Sequence, residues 1–308
     1  MSLVVVGTMA FDAIETPFGK SDKIVGGAAT YIAWSASNFT RPVKQLSVVG
    51  GDFPKEELSI LEARGVSMEG VQIKENEKSF FWSGRYHLDM NTRDTLDTQL
   101  NVLANFTPVV PDSYQDCEFL MLGNLVPAIQ LSVINQIKNR PKLVVLDTMN
   151  FWMESALSDL EEVISKIDVL LVNDSEARQL SGQYSLVAAA KTILEMGPKY
   201  VIIKKGEHGA LLFNGDQVFF APALPLEMVF DPTGAGDTFA GGFIGHLART
   251  KDISFENMKA AIIVGSAMAS FCVEKFGTNR LRELTKVDID NRIQQFKDLT
   301  KFEIELSS

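Results

Sequence analysis

Short β-branched runs alternate with helical patterns along most of the chain, and this alternation restricts the fold more than any other feature. Six runs are expected to be strands: residues 3–6, 44–49, 119–122, 142–146, 169–172 and 200–204. Helical patterns lie between them. Residues 54–64 begin with Pro at a helix start, and apolar residues recur three and four positions apart in residues 128–138, 154–166 and 185–196. Repeated strand-helix-strand units predict an α/β fold with a mostly parallel central sheet and helices on both faces. Ligands of such sheets bind beyond the carboxyl ends of the strands.

Two segments interrupt this alternation and have no helix between their strands. Residues 13–26 and 71–86 alternate polar and apolar side chains, as the strands of a half-exposed sheet do. We expect them to belong to a small β-sheet lid, inserted as segments of about 13–26 and 71–98. A further hairpin is predicted at Asn214-Gly215, because this dipeptide supplies the positive φ angles of a type I′ turn. Since the chain contains no repeat or linker that would divide it, residues 1–308 are predicted to form a single domain.

Composition restricts the partners of the protein. The chain has 29 Lys and Arg against 39 Asp and Glu, a formal net charge of −10 that disfavours nucleic acid and anionic membranes as partners. The longest charge-free apolar stretch, residues 260–273, is shorter than the ~20 residues that cross a bilayer, and residues 1–7 do not resemble a signal peptide. Cys117 and Cys272 show no metal-ligand spacing, which favours a reduced, cytoplasmic location.

The segment 231–242 carries the clearest chemistry, with the sequence Asp-Pro-Thr-Gly-Ala-Gly-Asp-Thr-Phe-Ala-Gly-Gly. Gly234 and Gly236, on either side of Ala235, would let the backbone turn tightly and direct its N–H groups inward at a helix N-terminus, where negative charge is stabilised. Asp237 would then lie in the first helical turn, where it can accept a proton from a hydroxyl that attacks a phosphoryl group. The simpler interpretation is a glycine turn followed by an Asp that stabilises the helix start.

This segment matches, residue for residue, the signature of the ribokinase-like (PfkB) carbohydrate kinase family, and weaker motifs extend the resemblance over nearly the whole chain. The resemblance implies a ribokinase-like fold and the transfer of the γ-phosphoryl group of ATP to a hydroxyl of a sugar. It implies Asp237 as the general base, the 234–236 loop as the anion hole, and ATP with Mg²⁺ as cofactors.

Two alternatives to a sugar kinase remain. One is a nucleoside kinase of the same fold, because a nucleoside presents a ribose-like ring at the same edge of the sheet. The other is a catalytically silent sugar-binding regulator, since a fold does not dictate its function. The retention of Asp237 with its glycine loop argues against the regulator.

The resemblance also implies a substrate-binding set. Asp12 corresponds to the family aspartate that accepts hydrogen bonds from sugar hydroxyls, and Gly26-Gly27 corresponds to the diglycine beside the substrate. Arg85, on the lid, and Asn124 complete this set. Taken without the resemblance, Asp12 would be a turn residue and the diglycine an ordinary entry into a helix.

Departures from the family pattern restrict the range of acceptor substrates. Asp147 and Asn150 resemble a D-x-N element, but Trp152 stands where an Arg often follows, which disfavours acidic sugars. The diglycine precedes residues 28–31, Ala-Ala-Thr-Tyr, rather than the Lys and Asn typical of ribokinases, so ribose is not assigned. Trp82 and Tyr86 are expected to pack on a partner strand or on the lid of a second subunit, and a homodimer through the lid is therefore considered.

The nucleotide and metal sites follow from the resemblance as well. Asn173 is expected near the phosphates, with Glu176 organising Mg²⁺ through water, although the same spacing predicts an ordinary capping box. The remaining predicted nucleotide-binding residues are Lys205, Gly206, Gly209 and Thr233. Asp231, with backbone carbonyls around Thr233 and Gly277, is the candidate ligand set of a K⁺ ion.

Overall fold

A computed structural model describes residues 2–301 and residue 303, so the ends of the predicted 1–308 domain lie outside the described residues. The strands are β1 (Leu3–Val6), β2 (Ala10–Thr16), β3 (Gly19–Gly26), β4 (Val43–Gly50), β5 (Val66–Lys74), β6 (Phe80–Tyr86), β7 (Arg93–Gln99), β8 (Phe119–Leu122), β9 (Leu143–Asp147), β10 (Val169–Asn173), β11 (Tyr200–Lys204), β12 (Ala210–Asn214) and β13 (Gln217–Ala221). The α-helices are α1 (Ala28–Ala36), α2 (Lys55–Ala63), α3 (Pro127–Gln136), α4 (Asn150–Ser155), α5 (Leu157–Ile164), α6 (Asp174–Ser181), α7 (Leu186–Glu195), α8 (Ala235–Thr250), α9 (Phe255–Cys272), α10 (Asn279–Glu283) and α11 (Lys286–Thr300). Short 3₁₀ helices lie at Asn101–Asn105, Asp112–Tyr114 and Gly206–His208.

The large sheet confirms the predicted α/β architecture. Within the described residues its strand order is β13-β12-β11-β10-β9-β8-β1-β4-β5, parallel except for the hairpin β12-β13 at one edge. Successive side chains of β1 enter different cores, because strand residues alternate between faces. Leu3 and Val5 join the core that contains buried residues of α1, α8 and α9, whereas Val4 and Val6 join the core that contains those of α3, α5 and α7. Each β1 residue is therefore buried whichever way it points.

The second sheet, which we call the lid, has the strand order β3-β2-β6-β7. Its strands β2 and β6 are parallel, while β3 and β7 flank them antiparallel. The prediction was wrong for residues 71–74, which belong to β5 and pair with β4 in the large sheet. The reason is that β5 is an edge strand of mixed burial, so its polar alternation is the same as that of a lid strand.

The predicted helix over 154–166 is also wrong in one respect. It forms two helices, α4 and α5, because Ala156 leaves the helical conformation at φ −150° and ψ 41°. The other three helices and all six strands of the alternating pattern are confirmed within one or two residues. In the described part of the chain, no helix combines the length and the apolar character that crossing a membrane would require.

Candidate active site

The loop before α8 is held by one buried carboxylate. The Oδ1 atom of Asp231 accepts a hydrogen bond from the N–H of Thr233 at 2.9 Å, and its Oδ2 atom accepts one from the N–H of Gly277 at 2.8 Å. Asp231 is fully buried. It therefore ties the loop that enters α8 to the segment that follows α9.

Gly234 shapes the entry to α8. It has φ +74°, and a Cβ atom there would lie 2.5 Å from ring atoms of Tyr31, so neither its conformation nor its surroundings accept a side chain. The N–H of Ala235 donates to the carbonyl of Pro232, and that of Thr238 donates to Gly234. The N–H groups of the first turn without a backbone acceptor, among the described residues, are those of Gly236 and Asp237, and that of Asp237 also contacts its own carboxylate.

The carboxylate of Asp237 lies in this first turn, where the sequence predicts the general base. Burial, with the negative charge of Asp147 adding to it, raises the pKa of Asp237 to about 7, while the cations Lys204 and Arg93 act in the opposite direction. A carboxyl group with this pKa can accept a proton near neutral pH and then release it, which is the requirement for a general base.

Two adjacent lysines at the end of β11 have different environments. The Nζ atom of Lys204 lies 2.6 Å from Oδ1 of Asp147, and both side chains are largely buried. Lys205, which the sequence predicts as a phosphate ligand, instead lies over the ring of Phe220 at 5.9 Å. The structure therefore brings Lys204, and not Lys205, to the edge where Asp147 and Asp237 lie.

Asn173 and Glu176 form the capping box that the simpler interpretation predicts, at the start of α6. The Oε2 atom of Glu176 accepts from the N–H of Asn173, and the Oδ1 atom of Asn173 accepts from the N–H of Glu176, both at 2.7 Å. Burial raises the pKa of Glu176 to about 7, and the Lys204 ammonium opposes this. The capping box thus places a buried carboxylate at the same edge as Lys204, so the structural and the functional interpretations are compatible.

Asp12 lies within β2 of the lid. Its position shortly after the first strand had suggested a loop of the large sheet instead. It is 5% exposed and accepts a hydrogen bond from the N–H of Gly27. Burial, together with the carboxylates of Asp231 and Asp237, raises the pKa of Asp12 to about 7. The influence of Asp237 on Asp12 indicates that the two carboxylates lie near each other.

Neighbouring atoms leave no room for a side chain at Gly26 or Gly27. A Cβ atom on Gly26 would lie 1.9 Å from Oδ2 of Asp12, and one on Gly27, at φ +91°, would lie 2.5 Å from the carbonyl oxygen of Thr8. Both glycines are thus required by the packing of α1 against the lid, and Gly26 keeps the space beside Asp12 open.

Arg85, a predicted substrate-binding residue, forms a salt bridge with Glu15 on the lid. Its guanidinium pairs with Glu15 at 2.9 Å, and the two side chains are 52% and 39% exposed. Tyr86, its neighbour on β6, points the opposite way, and its hydroxyl accepts a hydrogen bond from Oγ1 of Thr233 at 3.3 Å. Arg93 pairs in register with Tyr86, and its charge acts on Asp237 and Glu176. Tyr86 and Arg93 therefore occupy the inner face of the lid, where Arg85 was expected.

The other predicted residues make contacts within the protein. Asn124 donates to the sulfur of Met149 at 3.0 Å and accepts from the indole N–H of Trp152 at 2.7 Å, so Trp152 holds the predicted substrate amide. A Cβ atom on Gly206 would lie 2.4 Å from Oδ1 of Asn91 in the β6-β7 turn, and one on Gly209 would lie 2.1 Å from the carbonyl oxygen of Ala221. These two glycines allow close approach of the lid and of β13.

Tyr31 is a site residue that the sequence analysis did not assign. Its hydroxyl is buried and has no hydrogen-bond partner among the described residues. The carboxylates of Asp12, Asp231 and Asp237, after burial itself, contribute to the raised pKa of Tyr31, so the hydroxyl lies among them. Only its position after the diglycine could have pointed to it, because a tyrosine in a helix is more often a core residue.

Comparison with known proteins identifies a matching family and several relatives of this chain. A family model described as pfkB family carbohydrate kinase matches residues 2–284. A cytidine kinase of Thermococcus kodakarensis is 31% identical over 258 residues, which are 82% of this chain and 91% of that protein. A nucleoside kinase of Methanothermobacter thermautotrophicus is 26% identical over 305 residues, with 90% of each chain covered.

Two solved structures share the fold. The nucleoside kinase of Methanocaldococcus jannaschii aligns with a TM-score of 0.76 at 21% identity, covering 96% of this chain and 98% of its own. A putative ribokinase II from E. coli, in complex with ATP and Mg²⁺, aligns with a TM-score of 0.79 at 20% identity, covering 96% and 99%.

Proposed function

Since the chain belongs to the pfkB family of carbohydrate kinases and is a phosphotransferase, we propose that it transfers the γ-phosphoryl group of ATP to a hydroxyl on the ribose ring of a nucleoside. The observation that carries the proposal is the pair of buried carboxylates, Asp12 and Asp237, that lie near each other beside the N–H groups of Gly236 and Asp237, and we take them as the two borders of one cleft. One carboxylate can hold the acceptor ring while the other accepts the proton of its attacking hydroxyl.

In the mechanism, the ionised Asp237 takes the proton from the acceptor hydroxyl as the oxygen attacks the phosphorus. Charge that develops on the phosphoryl oxygens is stabilised by the N–H groups of Gly236 and Asp237, which are already oriented by the Asp231 hydrogen bonds. Preorganised donors of this kind need no rearrangement during the reaction, so their benefit falls on the transition state.

The nucleotide side fits ATP with Mg²⁺. Glu176 offers a buried carboxylate whose Oε1 atom is left free by the capping box, and Asp147 and Asp237 add negative charge at the same edge. No group of three or more His, Cys, Asp or Glu side chains clusters as a metal site among the described residues. The single free carboxylate oxygen of Glu176 suits Mg²⁺, because this ion keeps most of its waters and binds through few carboxylates and the phosphates of its nucleotide. When bound, the ion neutralises charge on those phosphates.

A nucleoside is favoured over a free sugar by two observations. Two of the relatives that align over most of both chains, at 31% and 26% identity, are named as a cytidine kinase and a nucleoside kinase. Trp82 and Tyr86 also lie on the same face of β6, and aromatic rings there can stack on the face of a nucleobase. The buried Tyr31 hydroxyl, which has no partner in the described residues, is the donor proposed to meet the ribose when the acceptor enters.

Three finer assignments belong to this proposal. K⁺ is proposed near Asp231, because this buried carboxylate accepts its hydrogen bonds from Thr233 and Gly277 and forms no salt bridge with a side-chain cation among the described residues. A homodimer through the lid is supported by β7, a sheet edge that is exposed at each of its residues. A cytoplasmic location is supported by Cys117 and Cys272, which are both free and buried.

The test is ADP release from ATP and Mg²⁺ with a panel of purine and pyrimidine nucleosides, free pentoses, free hexoses and phosphorylated hexoses. We expect the highest kcat/KM with a nucleoside and a nucleoside monophosphate as the product. Faster turnover of a free sugar would replace the nucleoside with that sugar. Ligand binding without ADP release would instead identify a regulator.

A further inference from the structure

Lys204 ends β11 directly opposite the first turn of α8. Its Nζ atom lies 3.1 Å from the position that a Cβ atom of Gly236 would occupy. The missing side chain at Gly236 therefore leaves a space that is bordered by the ammonium group on one side and by the N–H groups of Gly236 and Asp237 on the other. A phosphoryl group held by those N–H groups would lie within reach of Lys204.

The charges around Lys204 are unbalanced. Asp147 contacts it at 2.6 Å, and Glu176 and Asp237 act on it electrostatically. Although burial opposes the charged form, these carboxylates outweigh it and raise the pKa of Lys204, so the ammonium group stays charged. A buried cation that serves only a structural ion pair needs one carboxylate. Lys204 instead borders three acidic groups that the proposed reaction uses.

The hydrogen-bonding capacity of Lys204 is only partly used. An ammonium group has three donors. The hydrogen bond to Asp147 uses one of these donors. Within the described residues, the Lys204 side chain makes no other hydrogen bond. Two donors are left for oxygen atoms of a ligand. Asp147, whose side chain is 6% exposed, fixes the direction of the lysine.

We propose that Lys204 is a further catalytic residue, whose ammonium group binds the γ-phosphoryl group at the anion hole, and that Asp147 is the positioning residue that aims it. The inference rests on the proposed phosphoryl transfer. Lys204 keeps its proton throughout and donates hydrogen bonds to the oxygens of the group in transfer. These bonds strengthen as charge moves onto those oxygens, so the lysine stabilises the transition state more than bound ATP.

Lys205 supplies a matched comparison, because it is the same residue type one position along the chain and lies over Phe220. We compare Lys204→Met with Lys205→Met in two measurements: the affinities for ATP and ADP by calorimetry, and kcat with a saturating acceptor. ADP lacks the γ-phosphoryl group, so the ratio of the two affinities isolates the contact that Lys204 is proposed to make.

For Lys204→Met we expect a loss of about 10²-fold or more in kcat, the size seen for loss of one preorganised donor. We also expect the preference for ATP over ADP to fall by at least about tenfold, with ADP affinity changed by less than about twofold, as for a charge-assisted hydrogen bond. Lys205→Met should change both quantities by less than about twofold. Asp147→Asn should lower the ATP preference by a smaller factor than Lys204→Met.

Removing Lys204 leaves Asp147 buried without its partner, which can destabilise the fold. The double variant Lys204→Met with Asp147→Asn removes both charges, and intact ADP binding reports that its site is folded. Loss of ATP preference in the double variant supports the proposal even if the acceptor class is wrong, because binding needs no acceptor. An unchanged ATP preference, an equal loss of ADP affinity, or a stronger effect of Lys205→Met would each overturn it.

Discussion

The two borders of the cleft hold their polar groups in different ways. On the side of the large sheet and α8, two backbone N–H groups bind Asp231 in the loop before α8, and the buried Asp147 fixes Lys204 at the end of β11. On the lid, β7 is exposed along its whole length, and Arg93 extends its charge from this outer strand. Fixed, buried groups are preorganised for charge, whereas an exposed edge strand can move more readily.

This difference assigns different kinetic roles to the two borders. Groups on the large sheet should determine how fast the phosphoryl group moves, and should therefore appear in kcat. Groups on the lid should determine how well the acceptor is held, and should therefore appear in its KM. The following predictions test this division, beginning with the largest effect.

The largest effect is expected for Asp237→Asn. The amide cannot take the proton of the acceptor, so kcat should fall by about 10²- to 10⁴-fold. ADP affinity should stay within about twofold, because the substitution removes no phosphate donor. Steady-state kinetics and calorimetry measure the two quantities. Unchanged turnover would remove Asp237 from the mechanism and with it the kinetic role of this border.

The second prediction concerns pH. Because burial and Asp147 raise the pKa of Asp237 to about 7, the base is protonated below that pH and ionised above it. The rate at saturating acceptor should thus fall about tenfold per pH unit below about pH 7 and reach a plateau above it. A kcat that stays level down to pH 5 would show that Asp237 does not titrate as the base. Substrates and Mg²⁺ must be saturating at each pH.

The third prediction is that Asp12→Ala acts on affinity alone. Loss of charge-assisted hydrogen bonds to the ring should raise the KM of the acceptor at least about tenfold, while the KM of ATP changes little. Asp94→Ala, which removes an exposed partner of His87 on the same lid, is the control and should leave both constants unchanged. A kcat effect of Asp12→Ala as large as that of Asp237→Asn would break the division between the borders.

The large sheet was predictable because its strands are buried on both faces. A strand such as β1, with four consecutive buried residues, reads as an uninterrupted apolar run, and helices fill the intervals between such strands. The lid lacks this signal. Strand β5 of the large sheet has mixed burial, so its sequence does not separate it from β6, and residues 71–74 were assigned to the wrong sheet.

The site was predictable as a set of loops but not as a set of side chains. The 231–242 segment located the anion hole and Asp237, since glycine and aspartate at that spacing have a direct physical meaning. Direction along a strand is harder, because a shift of one residue reverses the face. That single step separates Lys204 from Lys205, and Arg85 from Tyr86. Arg93 could not be assigned because the β6-β7 register contains a bulge.

The smallest expected effect is the difference between two arginines of the lid. It tests whether the charge of Arg93 influences the general base Asp237. Arg93 lowers the pKa of Asp237 and of Glu176 from an exposed strand, whereas Arg85 pairs with Glu15 on the outer face. Exposed charges contribute roughly 0.2–1 kcal/mol, so Arg93→Ala should lower kcat about two- to fivefold near pH 7. The same substitution should move the acid limb of the pH profile upward, because Asp237 loses a cation that favours its ionised form.

Arg85→Ala is the matched control for this last comparison, and it should leave kcat, both KM values and the pH profile unchanged. Raising the ionic strength should shrink the Arg93 effect, since salt screens exposed charges over about 10 Å at 0.1 M. If Arg85→Ala gave the larger loss, the inner face of the lid would carry Arg85, and the register of β6 would have to shift by one residue. If neither arginine mattered, the lid would act on the acceptor alone, and the division between the two borders would be complete.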